Sequence, residues 1–380
     1  MKFLIDENIP YAEAFFSSLG TIERFAGREL KAEQLKDVDV LLVRSITKVN
    51  DELLSQANKL KFVGTATIGE DHIDKPLLKQ RGIEFSSAPG CNATSVAEFV
   101  ISALLVLHDR YNLDFINKTI AIVGVGNIGK RLLQRLNTLN VDVLLCDPVR
   151  QDNESDAAHF IDLNDALARA DIISFHTPLT RDGAHPTFHL LNENNLPLLK
   201  DDVVLINSCR GEVIDNQALY NHIIWREESS KPAIKLVLDV WEGEPNPMPA
   251  LIEKAELATA HIAGYSLEGK ARGTEMLYQK VCALLAVPST IKLSTLLPIA
   301  DVASTKLAQD VTTTDELKKL VHLVFDVRRD DGLFRELLNS NGFDWLRKNY
   351  PTRREWSSLQ VEIEKRSTNS IDLSKIGFAI

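Results

Sequence analysis

Three side chains have the types needed to take the proton from an alcohol whose carbon gives up a hydride to a cofactor: Arg210, Glu244 and His261. Arg210 lies in Asn207-Ser208-Cys209-Arg210-Gly211, where its planar fork could hold a carboxylate by two parallel hydrogen bonds and polarise the adjacent carbon. The plain alternative for it is a structural salt bridge. His261 can exchange a proton near neutral pH, which oxidation of an alcohol to a ketone requires. A carboxylate beside that imidazole selects its tautomer and stabilises its protonated form. Glu244, which Pro245 should hold in an extended loop, fits this role; Glu242 is the alternative. His176 also follows a predicted strand, but with Thr177 and Pro178 after it the turn is better suited to line a cofactor.

Each of these residues stands just after a strand-like run, so the strands must position them. From Thr119 onward strands are expected near 119–123, 141–146, 171–175, 203–206, 235–240 and 257–260, with helices between most of them. That alternation predicts a doubly wound parallel sheet, in which ligands bind beyond the carboxyl ends of the strands. The first strand enters Gly124-Val125-Gly126-Asn127-Ile128-Gly129 and a helical pattern leaves it. The first glycine permits a tight turn, the second lets backbone N–H groups approach a pyrophosphate, and the third lets the helix pack closely. The helix N-terminus then faces the phosphates. Asp147 ends the next strand, eighteen residues after Gly129, where an acid can accept both adenosine ribose hydroxyls and would repel a 2′-phosphate. The expected cofactor is NAD rather than NADP. Asp239 ends a later strand and either meets the nicotinamide carboxamide or caps a turn.

Ahead of the glycine motif, strand-like runs at 3–5, 40–43, 62–63 and 83–85 alternate with helical stretches at 11–19 and 51–56, giving a further α/β unit. A long apolar helix pattern, 93–108, leads from it into the motif, and another helix is expected over 267–285. Segments 150–160 and 226–234 are polar and read as surface loops. Past Pro288 the texture changes: 317–327 is amphipathic, 359–363 alternates as a strand, and Arg328-Arg329 and Arg353-Arg354 read as solvated or intersubunit pairs. The net charge of −10 argues against nucleic acid and anionic membranes, which reward basic surfaces. Cys91, Cys146, Cys209 and Cys282 lack metal-like spacing and read as reduced structural thiols; no metal is expected. Asp6 and Glu7 interrupt the first apolar run too early for a signal-peptide core, so a cytoplasmic location is the default.

Taken together, the glycine motif, Asp147, Cys209-Arg210-Gly211, the run Asp239 to Pro245 and His261-Ile262-Ala263-Gly264 resemble the D-isomer-specific 2-hydroxyacid dehydrogenases. The resemblance implies Arg210 on the substrate carboxylate, Glu244 behind the histidine, His261 as the proton-exchanging group, and Gly264 among the cofactor contacts. Asp6-Glu7-Asn8, the run Val43 to Asn50, Gly64 to Thr67, Pro89 to Asn92, Ala263 to Lys270 and Glu355 to Leu359 extend it to one branch of that family over nearly the whole chain. It implies a Rossmann-type sheet (99–265) inserted in a flavodoxin-like α/β substrate or lid domain (1–98 and 266–288). It further implies a small C-terminal α/β dimerisation domain (289–380), hence a homodimer, acting on a phosphorylated 2-hydroxy acid. By the same carry-over Ser45, Thr67 and Tyr265 contact substrate, with Thr65 able to exchange roles with Thr67. Arg44 or a helix N-terminus near Asn92 would supply further attraction for phosphate. Other members of the family share the core motifs, and the C-terminal segment tells against them. A non-catalytic nucleotide-sensing dimer on the same scaffold would have no need of Arg210, Glu244 and His261.

Overall fold

The computed structural model describes residues 1–153 and 159–380, which group into two compact units. The part of the predicted 150–160 loop at 154–158 lies outside the described residues.

The first unit, Met1–Ala93 with Tyr265–Ile299, is built on five parallel strands: β1 (Lys2–Asp6), β2 (Thr21–Phe25), β3 (Val40–Val43), β4 (Phe62–Thr65) and β5 (Glu84–Ser86). Their order, β2-β1-β3-β4-β5, is the flavodoxin-like one. Every residue of β3 and β4 is buried, as strands covered on both faces require. On one face Phe15, Phe16 and Tyr278 pack against Phe3, Ile5 and Leu42, which seats the helix Leu267–Leu284 beside the sheet. Gly273 on that helix lies against β4's exit, where a Cβ would come 2.8 Å from the Ala66 carbonyl oxygen. β2 went unrecognised in the sequence because it is an edge strand with a mostly polar, exposed face.

The second unit comprises Thr94–Gly264 and Ala300–Ile380. Its six parallel strands are β6 (Thr119–Val123), β7 (Asp142–Cys146), β8 (Ile172–Phe175), β9 (Val204–Asn207), β10 (Lys235–Leu238) and β11 (Ala255–Ala258). They lie in the order β11-β10-β9-β8-β6-β7, so the winding reverses between β6 and β8. That reversal opens a crevice at the carboxyl ends of those two strands, where doubly wound sheets bind ligands. The predicted loop at 226–234 starts late. The helix Asn216–Glu228 runs through it because Arg226 turns inward, 3% exposed, donating to Asp201 Oδ1 at 2.5 Å and to the Pro232 carbonyl at 2.9 Å.

The sequence draws a boundary at 289, whereas residues 300–380 share a unit with the six-stranded sheet. They form a parallel pair, β12 (Ser304–Leu307) and β13 (Gln360–Ile363), with helices Thr314–Val324 and Val327–Asn341 between. The joint is polar as well as apolar. Asp331 Oδ1 accepts the Ala258 N–H at 2.8 Å, Arg335 donates to the carbonyls of Ile252 and Ala255, and Phe334 stacks on Trp241.

Arg353 corrects the surface reading of the arginine pairs. It is 1% exposed, donates to the carbonyls of Ala263 (2.9 Å) and Ser95 (2.6 Å), and lies over the Phe325 ring. Two main-chain acceptors and an aromatic face satisfy in the interior what the sequence alone assigns to solvent. Among the described residues no helix is long and apolar enough to cross a membrane.

Candidate active site

Each glycine of the motif has its own physical reason. Gly124 has φ +92°, and a Cβ on it would come 2.7 Å from the His176 carbonyl, so the turn after β6 packs on the turn after β8. On Gly129 a Cβ would meet the Gly124 oxygen at 2.2 Å, so helix and loop touch. At Gly126 a Cβ would meet nothing within 4 Å, although φ there is an ordinary −78°. Packing therefore places no demand on Gly126, and the space beside it suits a closely approaching ligand. The helix Asn127–Thr138 that starts there has no side-chain cap, which leaves its positive end to an anion. Asp147, at the end of β7, accepts the N–H groups of Val125 (2.8 Å) and Arg150 (3.1 Å), tying the glycine loop to the acid expected on the ribose. Thr177 Oγ1 lies 3.9 Å from Cys209 Sγ, next to the arginine loop. These features fit a dinucleotide.

His176 is withdrawn from chemistry. It is buried, bonded through Nε2 to Ser174 Oγ at 2.8 Å, and burial pushes its pKa down to about 3. Burial likewise raises the thiol pKa of Cys209 and takes that of Cys146 to about 12, in keeping with inert thiols.

Glu244 and His261 are brought together. His261 Nδ1 lies 2.8 Å from Glu244 Oε2, while Glu244 Oε1 accepts the Trp241 N–H at 3.0 Å. Burial pushes the Glu244 carboxyl up, but the charge and hydrogen bond of His261, the charge of Arg347 and the Trp241 N–H outweigh it and leave the pKa below the ordinary value. An ionised Glu244 accepts only, so the imidazole carries its proton on Nδ1 and leaves Nε2 unprotonated. His261 sits at φ +55°, a conformation rare for a non-glycine residue, and Asp239 holds it there. The Asp239 carbonyl accepts the His261 N–H at 2.7 Å. Its buried carboxylate accepts from Ile262 N, Ala263 N and Thr259 Oγ1. Of the two readings of Asp239, the structure displays the turn-holding one; a carboxamide contact would use the capacity left on Oδ2.

Arg210 is half-buried and donates to the Cys209 carbonyl at 2.7 Å. Its loop is fixed from both sides. Asn207 side-chain atoms bond the Arg210 carbonyl and the Cys209 N–H, and a Cβ on Gly211 would fall 2.0 Å from the Trp241 carbonyl carbon. Thus the Arg210 loop and the strand end leading to Glu244 interlock. Glu242 is not the histidine's partner: it bonds His189 Nε2 at 2.8 Å and the Asn216 N–H at 3.2 Å. Arg347, whose charge acts on Glu244, and Arg353, bonded behind Ala263, both come from the C-terminal segment. No local motif marks either one in the sequence.

In the first unit, Ser45 follows β3 and Tyr265 precedes the helix Leu267–Leu284, both half-buried. Thr65 and Thr67 no longer exchange roles. Thr65 is fully buried, with its hydroxyl 3.0 Å from His72 Nε2 and 2.7 Å from Thr67 Oγ1, whereas Thr67 is half-buried. Gly264, half-buried, ends the His261 loop.

A reversed parallel sheet with this glycine loop, a terminal aspartate and a Glu–His pair defines an NAD-dependent 2-hydroxyacid dehydrogenase, and residues 107–263 match the D-isomer specific 2-hydroxyacid dehydrogenase NAD binding domain. Residues 296–377 match a domain of unknown function, DUF3410. An erythronate-4-phosphate dehydrogenase of Tolumonas auensis is 49% identical over 100% of this chain and 99% of its own length, and one of Shewanella sp. is 51% identical over the same shares. The chain belongs to the erythronate-4-phosphate dehydrogenase family. Among solved structures it resembles a D-lactate dehydrogenase from Aquifex aeolicus complexed with NAD and lactic acid. That likeness has a TM-score of 0.62 at 26% identity, covering 75% of this chain and 95% of the other.

Proposed function

We propose that the protein oxidises the 2-hydroxyl of 4-phospho-D-erythronate to 2-oxo-3-hydroxy-4-phosphobutanoate, as a cytoplasmic homodimer serving pyridoxal 5′-phosphate biosynthesis. The observation that carries the chemistry is the 2.8 Å pairing of His261 Nδ1 with Glu244. With Nδ1 donating to an ionised carboxylate, Nε2 takes the proton from the substrate hydroxyl, and Glu244 stabilises the imidazolium that results. Arg210 holds the substrate carboxylate by its planar fork and so orients C2. NAD, when bound, accepts the hydride released from C2. Gly124, Gly126, Asn127, Ile128 and Gly129 would receive its pyrophosphate, Asp147 its ribose, and Thr177, Asp239 and Gly264 its nicotinamide end. Ser45, Thr67 and Tyr265 contact the substrate. The substrate assignment is supported by full-length relatives that carry that name at about half identity.

Purified full-length protein given NAD and 4-phosphoerythronate should form NADH. Good turnover of 3-phosphoglycerate with none of 4-phosphoerythronate would reject the substrate. Light scattering should return the mass of a dimer, and a monomer would reject that assembly.

A further inference from the structure

Two cations in the first unit share one aromatic ring. Arg44 Cζ lies 5.0 Å from the centroid of the Tyr265 ring, and Lys270 Nζ lies 5.3 Å from the same centroid. Among the described residues neither side chain has a carboxylate within 4 Å. Arg44 makes one long hydrogen bond, 3.4 Å, to the Asn8 carbonyl. The buried carboxyl of Asp6 feels the charge of Arg44, but its own burial raises its pKa. Lys270 also sits in the first turn of the helix Leu267–Leu284, the end where the helix dipole disfavours a cation. Burial first, and then the charge of Arg44, push the Lys270 pKa down to about 8.

A half-buried lysine beside an arginine, at the positive end of a helix, is unfavourable by itself. A tetrahedral dianion would reverse each of those costs, since a phosphate monoester carries nearly two negative charges at neutral pH and several strong acceptors. Both cations lie against the one Tyr265 ring, and Ser45 follows Arg44 directly. We propose that Arg44 and Lys270, braced on Tyr265, form the site for the phosphate of a phosphorylated 2-hydroxy acid, and so set the preference for phosphorylated over unphosphorylated substrate. This deepens the substrate reading above and rests on it for the identity of the phosphate ester.

The test uses full-length Lys270→Met, Lys270→Arg and Arg44→Gln proteins. KM and kcat are measured on 4-phosphoerythronate and on erythronate, and inorganic phosphate binding is followed by calorimetry on the NAD-loaded protein. Losing a charge-assisted hydrogen bond to phosphate raises KM for the phosphorylated substrate by about 10- to 150-fold in Lys270→Met. The kcat, the NAD affinity and the parameters on erythronate stay within about threefold by the same reasoning. Lys270→Arg, which keeps the charge and the fold, recovers most of the loss. Unchanged KM in both Lys270→Met and Arg44→Gln, or equal losses on the two substrates, overturns the proposal and leaves the substrate assignment standing. Phosphate binding that depends on Lys270 in a protein unable to oxidise 4-phosphoerythronate upholds the site and rejects that substrate.

Discussion

Alanine at Gly126 and alanine at Gly129 should separate ligand approach from folding, because the two positions differ so sharply in what a methyl group would meet. On Gly129 the new Cβ falls 2.2 Å from the Gly124 carbonyl oxygen, a backbone atom that cannot swing aside. Overpacking of this kind costs about 1–3 kcal/mol. The helix-propensity gain of alanine is at most about 1 kcal/mol in a helix interior and less in the first turn. A net loss of about 1–2 kcal/mol should lower the Tm by roughly 2–8 °C. On Gly126 the methyl meets nothing within 4 Å, so stability should fall only by what alanine costs in place of glycine at a helix N-cap, about 0.5–1 kcal/mol. That methyl occupies the approach of the pyrophosphate to the N–H groups of the helix Asn127–Thr138. Losing two charge-assisted bonds at about 1.5 kcal/mol each amounts to roughly 3 kcal/mol, or about 150-fold in Kd for NAD. Differential scanning calorimetry gives the first quantity and titration with NAD the second. A Gly126→Ala protein that binds NAD within threefold of the parent, or a Gly129→Ala protein with an unshifted Tm, would refute the reasoning.

His261→Ala should reduce kcat by about 10²–10⁴-fold, the usual worth of general acid–base catalysis, and leave NAD affinity nearly intact; steady-state kinetics with unchanged turnover would reject His261 as the base. Arg353→Ala removes the donor to the Ala263 and Ser95 carbonyls, takes a partner from both buried acceptors, and should cost about 2–5 kcal/mol in urea denaturation. Burial, and then the charge of Glu355, raise Glu98 from 4.5 to about 8 against the pull of Arg135 and Arg353. The folded state therefore keeps a proton that the unfolded chain has released above pH 4.5, and stability should fall as pH rises from there toward 8. Glu98→Gln should flatten that slope, as read from urea midpoints across the window; an unaltered slope would assign the pH dependence to other groups.

The central strands of the six-stranded sheet were legible because a parallel strand covered on both faces reads as an unbroken apolar run, as Val203 to Ile206 does. The glycine loop, and the presence of a carboxylate beside His261, were legible because residue type and position after a strand sufficed. What escaped were groups whose partners lie far along the chain. Arg226 and Arg353 look like surface residues until Asp201 and the carbonyls of Ala263 and Ser95 are seen beside them. The choice between Glu242 and Glu244 turned on His189, fifty-three residues before Glu242, which occupies the former. Lys270 stands within a recognised run, yet only its placement over Tyr265 distinguishes it from an ordinary helical lysine.

Arg353 on the Ala263 carbonyl and Arg347 near Glu244 tie residues beyond 300 to the loop that carries the proton acceptor. The terminal segment is therefore no portable handle. A core stripped of it would lose the Arg347 charge that adds to His261 in holding the Glu244 pKa down, and the Arg353 brace behind Ala263, so the two should be inherited, engineered and lost together.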